Sequence, residues 1–133
     1  MAEKMNNLTG KEWLQESFSI WRGIKKTKEE RQTKHPALFP QRLPEKLINL
    51  YTKKNGELIL DPFMGIGSTL MGSMNSGVKS IGIELNKSYC SLAKKRIKRF
   101  QKDLFNKKKT YEPKVICDDS INLLKYIKKE SVD

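Results

Sequence analysis

Cysteine and histidine are almost missing from this chain. Cys90 and Cys117 are the only thiols and His35 the only imidazole, too few for a disulfide framework or a zinc cage of the usual ligand set. Reduced thiols and no structural metal are therefore expected. No apolar run approaches the roughly 20 residues of a membrane span, and the N-terminus lacks the apolar core of a signal peptide. A soluble, cytoplasmic protein with no membrane partner is expected. Proline is sparse as well: Pro36, Pro40, Pro44, Pro62 and Pro113 are the whole set, and none adjoins another. Acid is scarce beside base, with 15 Asp and Glu against 27 Lys and Arg and a formal net charge of +12. That excess favours an anionic partner, nucleic acid or an acidic membrane surface, and charge alone does not choose between them. Hydrophobic residues make up 37% of 133 residues, which suits one modest core rather than two.

What is present is ordered along the chain. Thr9 and Glu12 have capping-box spacing, and Trp13, Leu14, Ser17, Phe18 and Trp21 then fall on one helical face. Residues 25–34 are almost wholly polar and read as a mobile connector or a solvated helix end. Lys25, Lys26, Lys28 and Arg31 in that stretch, with Lys107, Lys108 and Lys109 in a later basic loop, are candidate contacts to a DNA backbone. In His35-Pro36-Ala37-Leu38-Phe39-Pro40 two prolines force an extended, turning backbone. Pro44 suits the first turn of a helix carrying Leu47, Ile48, Leu50 and Tyr51, with Gly56 as its stop.

From there strands and helices alternate. Leu58-Ile59-Leu60 is a short apolar run fit for a buried parallel strand. Residues 70–75 read as a helix closed by Gly77, residues 80–83 as a second strand and residues 88–100 as a basic amphipathic helix. Residues 114–117 read as a third strand, and residues 121–128 as a last helix. This alternation predicts an α/β fold, the first half of a doubly wound parallel sheet of Rossmann-like type with right-handed crossovers, plus an N-terminal helix. Two regions are expected: 1–33, the helix and basic connector, and 34–133, a partial ligand-binding domain.

In open parallel sheets ligands bind beyond the carboxyl ends of the strands, and the unusual residues of this chain stand there. After the first strand comes Asp61-Pro62-Phe63-Met64-Gly65-Ile66-Gly67-Ser68-Thr69. Gly65 and Gly67 permit close approach and positive φ, while Ser68 and Thr69 open a helix whose free N–H groups and hydroxyls can receive a carboxylate or phosphate. A P-loop would need Lys where Gly67 stands, and a dinucleotide fingerprint would need Gly or Ala where Leu70 stands. What remains is a nucleoside bearing a carboxylate. Glu84, closing the second strand one βα unit later, can accept from both ribose hydroxyls. Asp118-Asp119-Ser120 after the third strand offers an acceptor for an adenine amino group; a magnesium site there is disfavoured for want of further acids.

The string from Asp61 to Thr69 resembles the Asp-Pro-Phe-x-Gly-x-Gly-[Ser/Thr] motif I of the DNA amino-methyltransferases, which make N6-methyladenine or N4-methylcytosine from S-adenosylmethionine. Lys34-His35-Pro36-Ala37-Leu38-Phe39-Pro40 resembles that family's motif X, bordering the methionine part of the cofactor. The resemblance runs from Lys34 to Ser120. It implies that His35, Pro36, Phe39, Asp61, Pro62, Phe63, Gly65, Gly67, Ser68 and Thr69 surround the methionine portion of S-adenosylmethionine. It further implies that Glu84 holds the ribose and that Asp119, with Ser120, lies near the adenine. Asn86 and Tyr89 match an Asn-x-x-Tyr pattern after the ribose acid, Tyr89 being expected chiefly to pack in the core.

One departure matters. The family's catalytic motif IV, an Asp, Asn or Ser before Pro-Pro and an aromatic residue, is expected at the end of the next strand, and no two prolines here are adjacent. Ser131-Val132-Asp133 reads as the beginning of that strand. An aryl amine is a poor nucleophile because its lone pair is shared with the ring, and motif IV supplies the acceptors and the aromatic face that a flipped base needs. The resemblance therefore implies the cofactor-binding half of a restriction-modification type DNA methyltransferase, a fragment or split subunit inactive alone and with no catalytic residue in the chain. DNA and a complementary half, or self-association through an exposed sheet edge, are the expected partners. The alternatives are a non-catalytic cofactor-binding or interaction module and a fragment of an RNA or protein methyltransferase, though neither of the latter accounts for the His-Pro-Ala-Leu-Phe-Pro segment. A nicotinamide oxidoreductase fails at Leu70.

Overall fold

The computed structural model describes residues 4–33, 35–53, 57–104 and 111–133. Three parallel strands form one sheet in the order β1-β2-β3, with β1 at Leu58–Asp61, β2 at Lys79–Glu84 and β3 at Lys114–Cys117. The register sets Asp61 beside Gly82 and Glu84 beside Cys117, so the carboxyl ends of all three strands lie at one rim. Helix α4, Ser68–Ser76, connects β1 to β2, and α5, Lys87–Leu104, connects β2 to β3. Both crossover helices touch β2 and each other, so they cover the same face of the sheet. This is the first half of the Rossmann-like sheet that the alternation implies.

The core lies beneath those helices, where Met64, Leu70, Met74, Cys90, Ala93 and Ile97 pack together. Helix α3, Arg42–Tyr51, crosses α4 at Gly72, where a Cβ would meet the backbone nitrogen of Glu45 at 2.8 Å. Glycine is required there by the closeness of two backbones. Pro44 sits in the first turn of α3 as expected. The helix stops at Tyr51 with Thr52 as its cap, before Gly56, which lies outside the described residues. Gly77 closes α4 in a left-handed conformation, its N–H reaching the carbonyls of Ser73 and Met74.

The N-terminal region departs from the sequence reading in two ways. Helix α1, Gly10–Glu16, has the Thr9–Glu12 capping box but ends before Ser17, Phe18 and Trp21 could join its face. Trp13 meets Tyr51 of α3 edge-on at 6.1 Å between ring centroids. Helix α2, Lys28–Gln32, occupies the stretch that composition marks as a mobile connector or solvated helix end, and its Glu30 is 1% exposed. Thr27 caps this helix through a second capping box, and Glu30 also accepts the Gln41 N–H at 2.6 Å. A buried carboxylate with two backbone donors is an anchor, which charge patterning along a sequence does not reveal. At the other end the expected helix over residues 121–128 is a 3-10 helix, Ser120–Lys125, capped by Asp119. Among the described residues no helix is long and apolar enough to cross a membrane.

Candidate functional site

The rim of the sheet gathers three separated segments. After β1 the chain turns through Gly65 at φ +53° and Gly67 at φ +84°, values that cost other residues strain. Two backbone bonds tie the turn down: Met64 N–H donates to Ile83 O at 3.0 Å, and Gly67 N–H donates to Met64 O at 2.8 Å. The turn is thus an extension of the β1–β2 ladder rather than a loose loop. Phe63 N–H donates to Asp61 Oδ1 at 3.1 Å, and the Phe63 ring stands 78% exposed at the rim.

Glu84 reaches this turn directly. Its Oε2 accepts the Gly65 N–H at 3.0 Å and its Oε1 accepts the Asn86 N–H at 2.8 Å. Each carboxylate oxygen has two lone-pair directions, so the group retains acceptor capacity for a ligand hydroxyl. Cys90 Sγ donates to the Glu84 carbonyl at 3.2 Å, fixing the backbone beneath it. Burial, then the hydrogen bond and charge of the neighbouring Cys117, push the Cys90 thiol up to about 12. Both thiols are free.

The third segment is the proline-bordered one. His35 lies against the turn: a Cβ on Gly65 would come 3.7 Å from His35 Nε2. The His35 ring meets Tyr89 at 4.6 Å between centroids, inclined at 62°. Tyr89 is half-buried at the site and outside the core cluster where it was expected to pack. His35 Nδ1 accepts the Ala37 N–H at 3.2 Å. Pro36 is exposed, and Lys34 lies outside the described residues.

Ser68 behaves otherwise than the sequence reading implied. Its side chain is 2% exposed, and its hydroxyl donates to the Phe39 carbonyl at 3.1 Å. The hydroxyl therefore binds segment 35–40 to the start of α4 and is not presented to a ligand. Thr69, Asp61 and Phe39 instead line an apolar cavity of about 430 Å³ between α3 and the outer side of β1, together with Leu43, Leu60 and Asp133. That side of β1 carries no neighbouring strand among the described residues; there Asp133 donates its N–H to Leu58 O at 3.2 Å and accepts the Leu58 N–H on Oδ2 at 3.0 Å.

At the end of β3 the two acids are engaged locally. Asp118 accepts from the Tyr126 hydroxyl at 2.6 Å and from the Asn122 amide at 3.0 Å. These bonds and the Asp119 N–H hold its carboxyl below the usual range. Asp119 Oδ1 accepts the Ile121 N–H at 3.0 Å as the cap of the 3-10 helix, in which Ser120 is the first residue. The register beside Glu84 brings Asp119 and Ser120 to the same rim. Of the basic candidates, Lys25, Lys28 and Arg31 are exposed and Lys26 half-buried; Lys107, Lys108 and Lys109 lie outside the described residues. Two residues that sequence reasoning passed over adjoin the turn from behind, Arg96 and Glu29, joined at 2.8 Å. Arg96 shares its helical face with Leu92, Ala93 and Ile97 while the lysines lie elsewhere, and a lone charge on that apolar face was the available signal.

Residues 2–95 match the model of the N6/N4 methyltransferases, described as DNA methylase. Over 87 residues the chain is 38% identical to the orphan methyltransferase M.BamHII of Bacillus amyloliquefaciens, covering 62% of this chain and 32% of that protein. Over 81 residues it is 40% identical to the type II methyltransferase M2.LlaDCHI of Lactococcus lactis subsp. cremoris, covering 60% and 30% respectively. The crystal structure of TTHA0409 from Thermus thermophilus, assigned as a DNA modification methylase, superposes with a TM-score of 0.58 at 25% identity, covering 83% of this chain and 40% of that one. The chain thus spans less than a third of the length of these two curated relatives.

Proposed function

This chain belongs to the N6/N4 DNA methylase family, whose model matches residues 2–95, and from that premise we propose that it is the cofactor-binding part of a DNA methyltransferase. The cofactor of this reading is S-adenosylmethionine, and the acceptor is the exocyclic amine of adenine or cytosine in DNA. The observation that carries it is the hydrogen bond from Gly65 N–H to Glu84, which makes the glycine turn and the acid one structural unit with His35 packed against it.

The residues present fit the cofactor. A Cβ at Gly65 would meet nothing nearer than 3.7 Å, so the turn is open to close approach. Glu84 keeps free lone pairs at a strand end, the place where a ribose is held in such sheets. In this reading Glu84 accepts from the ribose hydroxyls, and Asp61, Pro62, Phe63, Gly65, Gly67 and Thr69 border the methionine portion. His35, Pro36 and Phe39 flank that portion, Ser68 holds their segment in place, and Asp119 with Ser120 lies toward the adenine. When bound, S-adenosylmethionine supplies a methyl group on a sulfonium centre. The protein's part is to orient that group and to exclude water from it.

The acceptors that localise the amine lone pair belong to a Pro-Pro-aromatic motif that this sequence does not contain. We therefore assign residues 34–133 to cofactor binding and residues 1–33 to an N-terminal helix and basic connector. Catalysis is completed by a segment carrying the motif and a target-recognition region, in the same protein or in a partner. The apolar cavity beside β1 suits docking of that segment, because an apolar edge that no strand covers among the described residues recruits one; self-association through that edge is the competing outcome. DNA is the further partner, met by Lys25, Lys26, Lys28, Arg31 and the 107–109 lysines, and a cytoplasmic location belongs to the same reading.

Radiolabelled methyl transfer to mixed DNA, with and without a polypeptide supplying that segment, is the test. Transfer only with both present is the expected result. Robust transfer by this chain alone would place catalytic acceptors within it. Tight binding of cofactor with no transfer under either condition would favour a non-catalytic module.

A further inference from the structure

Arg96 of α5 is 5% exposed, a depth at which a guanidinium needs full pairing. It has three hydrogen bonds. Nη1 donates to the carbonyl of Ile66 at 2.8 Å, while Nε and Nη2 donate to Glu29 Oε1 and Oε2 at 2.8 and 3.1 Å in a two-pronged pair. Ile66 is the residue between Gly65 and Gly67, so the one peptide carbonyl flanked by both positive-φ glycines is turned inward onto a fixed cation.

Glu29 is itself held. It belongs to α2, which Thr27 caps and whose Glu30 is bonded to the first turn of α3 through Gln41. Although burial opposes it, Arg96 by hydrogen bond and charge, with Thr33 and Arg99, keeps the Glu29 carboxyl below its ordinary range. The carboxylate form, the one able to take both prongs, is thus secured at neutral pH. Two glycines separated only by Ile66 leave the turn with little conformational preference of its own. The bonds at Met64, Gly67 and Gly65 hold the turn from the sheet side, and the bond to Ile66 O holds it from the other.

We propose that Arg96, braced by Glu29, is a positioning residue that holds the glycine turn in the conformation that receives the cofactor, an inference that rests on the S-adenosylmethionine reading above. The polar stretch at residues 27–33 then serves the cofactor site from behind, in addition to any contact its exposed Lys28 and Arg31 make with DNA. Lysine cannot replace Arg96 fully, because a single ammonium does not offer a planar fork to the carboxylate together with a third donor to Ile66.

The test uses the whole chain with S-adenosylhomocysteine as the probe, followed by calorimetry, and amide hydrogen exchange at residues 65–68 without ligand. Parent, Glu29→Gln, Arg96→Lys, Arg96→Met and, as a site control, Glu84→Ala are compared. Glu29→Gln should weaken binding about tenfold and speed exchange at residues 65–68 while leaving β2 protection unchanged. Arg96→Lys should fall between parent and Arg96→Met. Should Arg96→Met fail to fold, Glu29→Gln decides by itself, since Glu29 is at the surface edge of the pair with 30% of its side chain exposed. Equal affinity and equal exchange in Glu29→Gln and parent would overturn the proposal. A parent that binds no probe would overturn the cofactor reading instead, and the ligand-free exchange rates would still show whether the pair holds the turn.

Discussion

Glu84 and Gly65 are joined by a hydrogen bond from the Gly65 N–H to Glu84 Oε2 at 3.0 Å, across the ends of two adjacent parallel strands. The acid proposed to hold the ribose is therefore also the acid that fixes the glycine turn. Removing its carboxylate loosens the turn and deletes an acceptor at once. Glu84→Ala should weaken S-adenosylhomocysteine binding by roughly 1–3 kcal/mol in calorimetry. Glu84→Gln, which keeps one acceptor oxygen, should lose less. Parent-like affinity in Glu84→Ala would remove this residue from the site.

The α3–α4 crossing predicts a second result. A Cβ at position 72 would lie 2.8 Å from Glu45 N and 3.0 Å from Gln41 O, both backbone atoms that cannot swing away. Gly72→Ala should lower unfolding free energy by about 1–3 kcal/mol, read from urea denaturation, despite the better helix propensity of alanine. An unchanged midpoint would mean that the two helices separate more readily than their packing indicates.

Thiol chemistry supplies a third. Cys117 is exposed, whereas Cys90 is 3% exposed and its thiol is pushed up to about 12. Iodoacetamide near pH 8 should alkylate Cys117 and spare Cys90 in the folded chain, as peptide mapping would show. The folded Cys90 value lies above its ordinary 9.0, so the contribution of this thiol to stability is complete below about 9. It is lost as pH rises toward about 12. Equal labelling of both cysteines at pH 8 would contradict the packing at Glu84.

The net charge of +12 leads to a fourth. Binding of the chain to duplex DNA of arbitrary sequence should weaken steeply with salt, because neutralised phosphates release counterions. Replacing Lys25, Lys28 and Arg31 with Gln should flatten the slope of log affinity against log salt. A slope that those changes leave untouched would assign the contact to other lysines.

Local chemistry made much of this protein legible from its residues. Thr9 and Glu12 announce a capping box by spacing, Pro44 a first turn, and the apolar runs at Ile59, Ile81 and Val115 the three strands, since each is a short-range preference of the backbone. The string from Asp61 to Thr69 and the later Glu84 marked two strand ends for the same reason. Tertiary structure decided the rest. Ser68 looked like a ligand hydroxyl and is spent on Phe39. The stretch around Glu30 looked solvated and is anchored in the interior. Arg96 falls by spacing on the face of α5 that carries Ala93 and Ile97, and only the fold brings it to Ile66 and Glu29. In each case the partner is distant in sequence, and whether a polar side chain faces water or another chain segment depends on the packing of elements that no local pattern encodes.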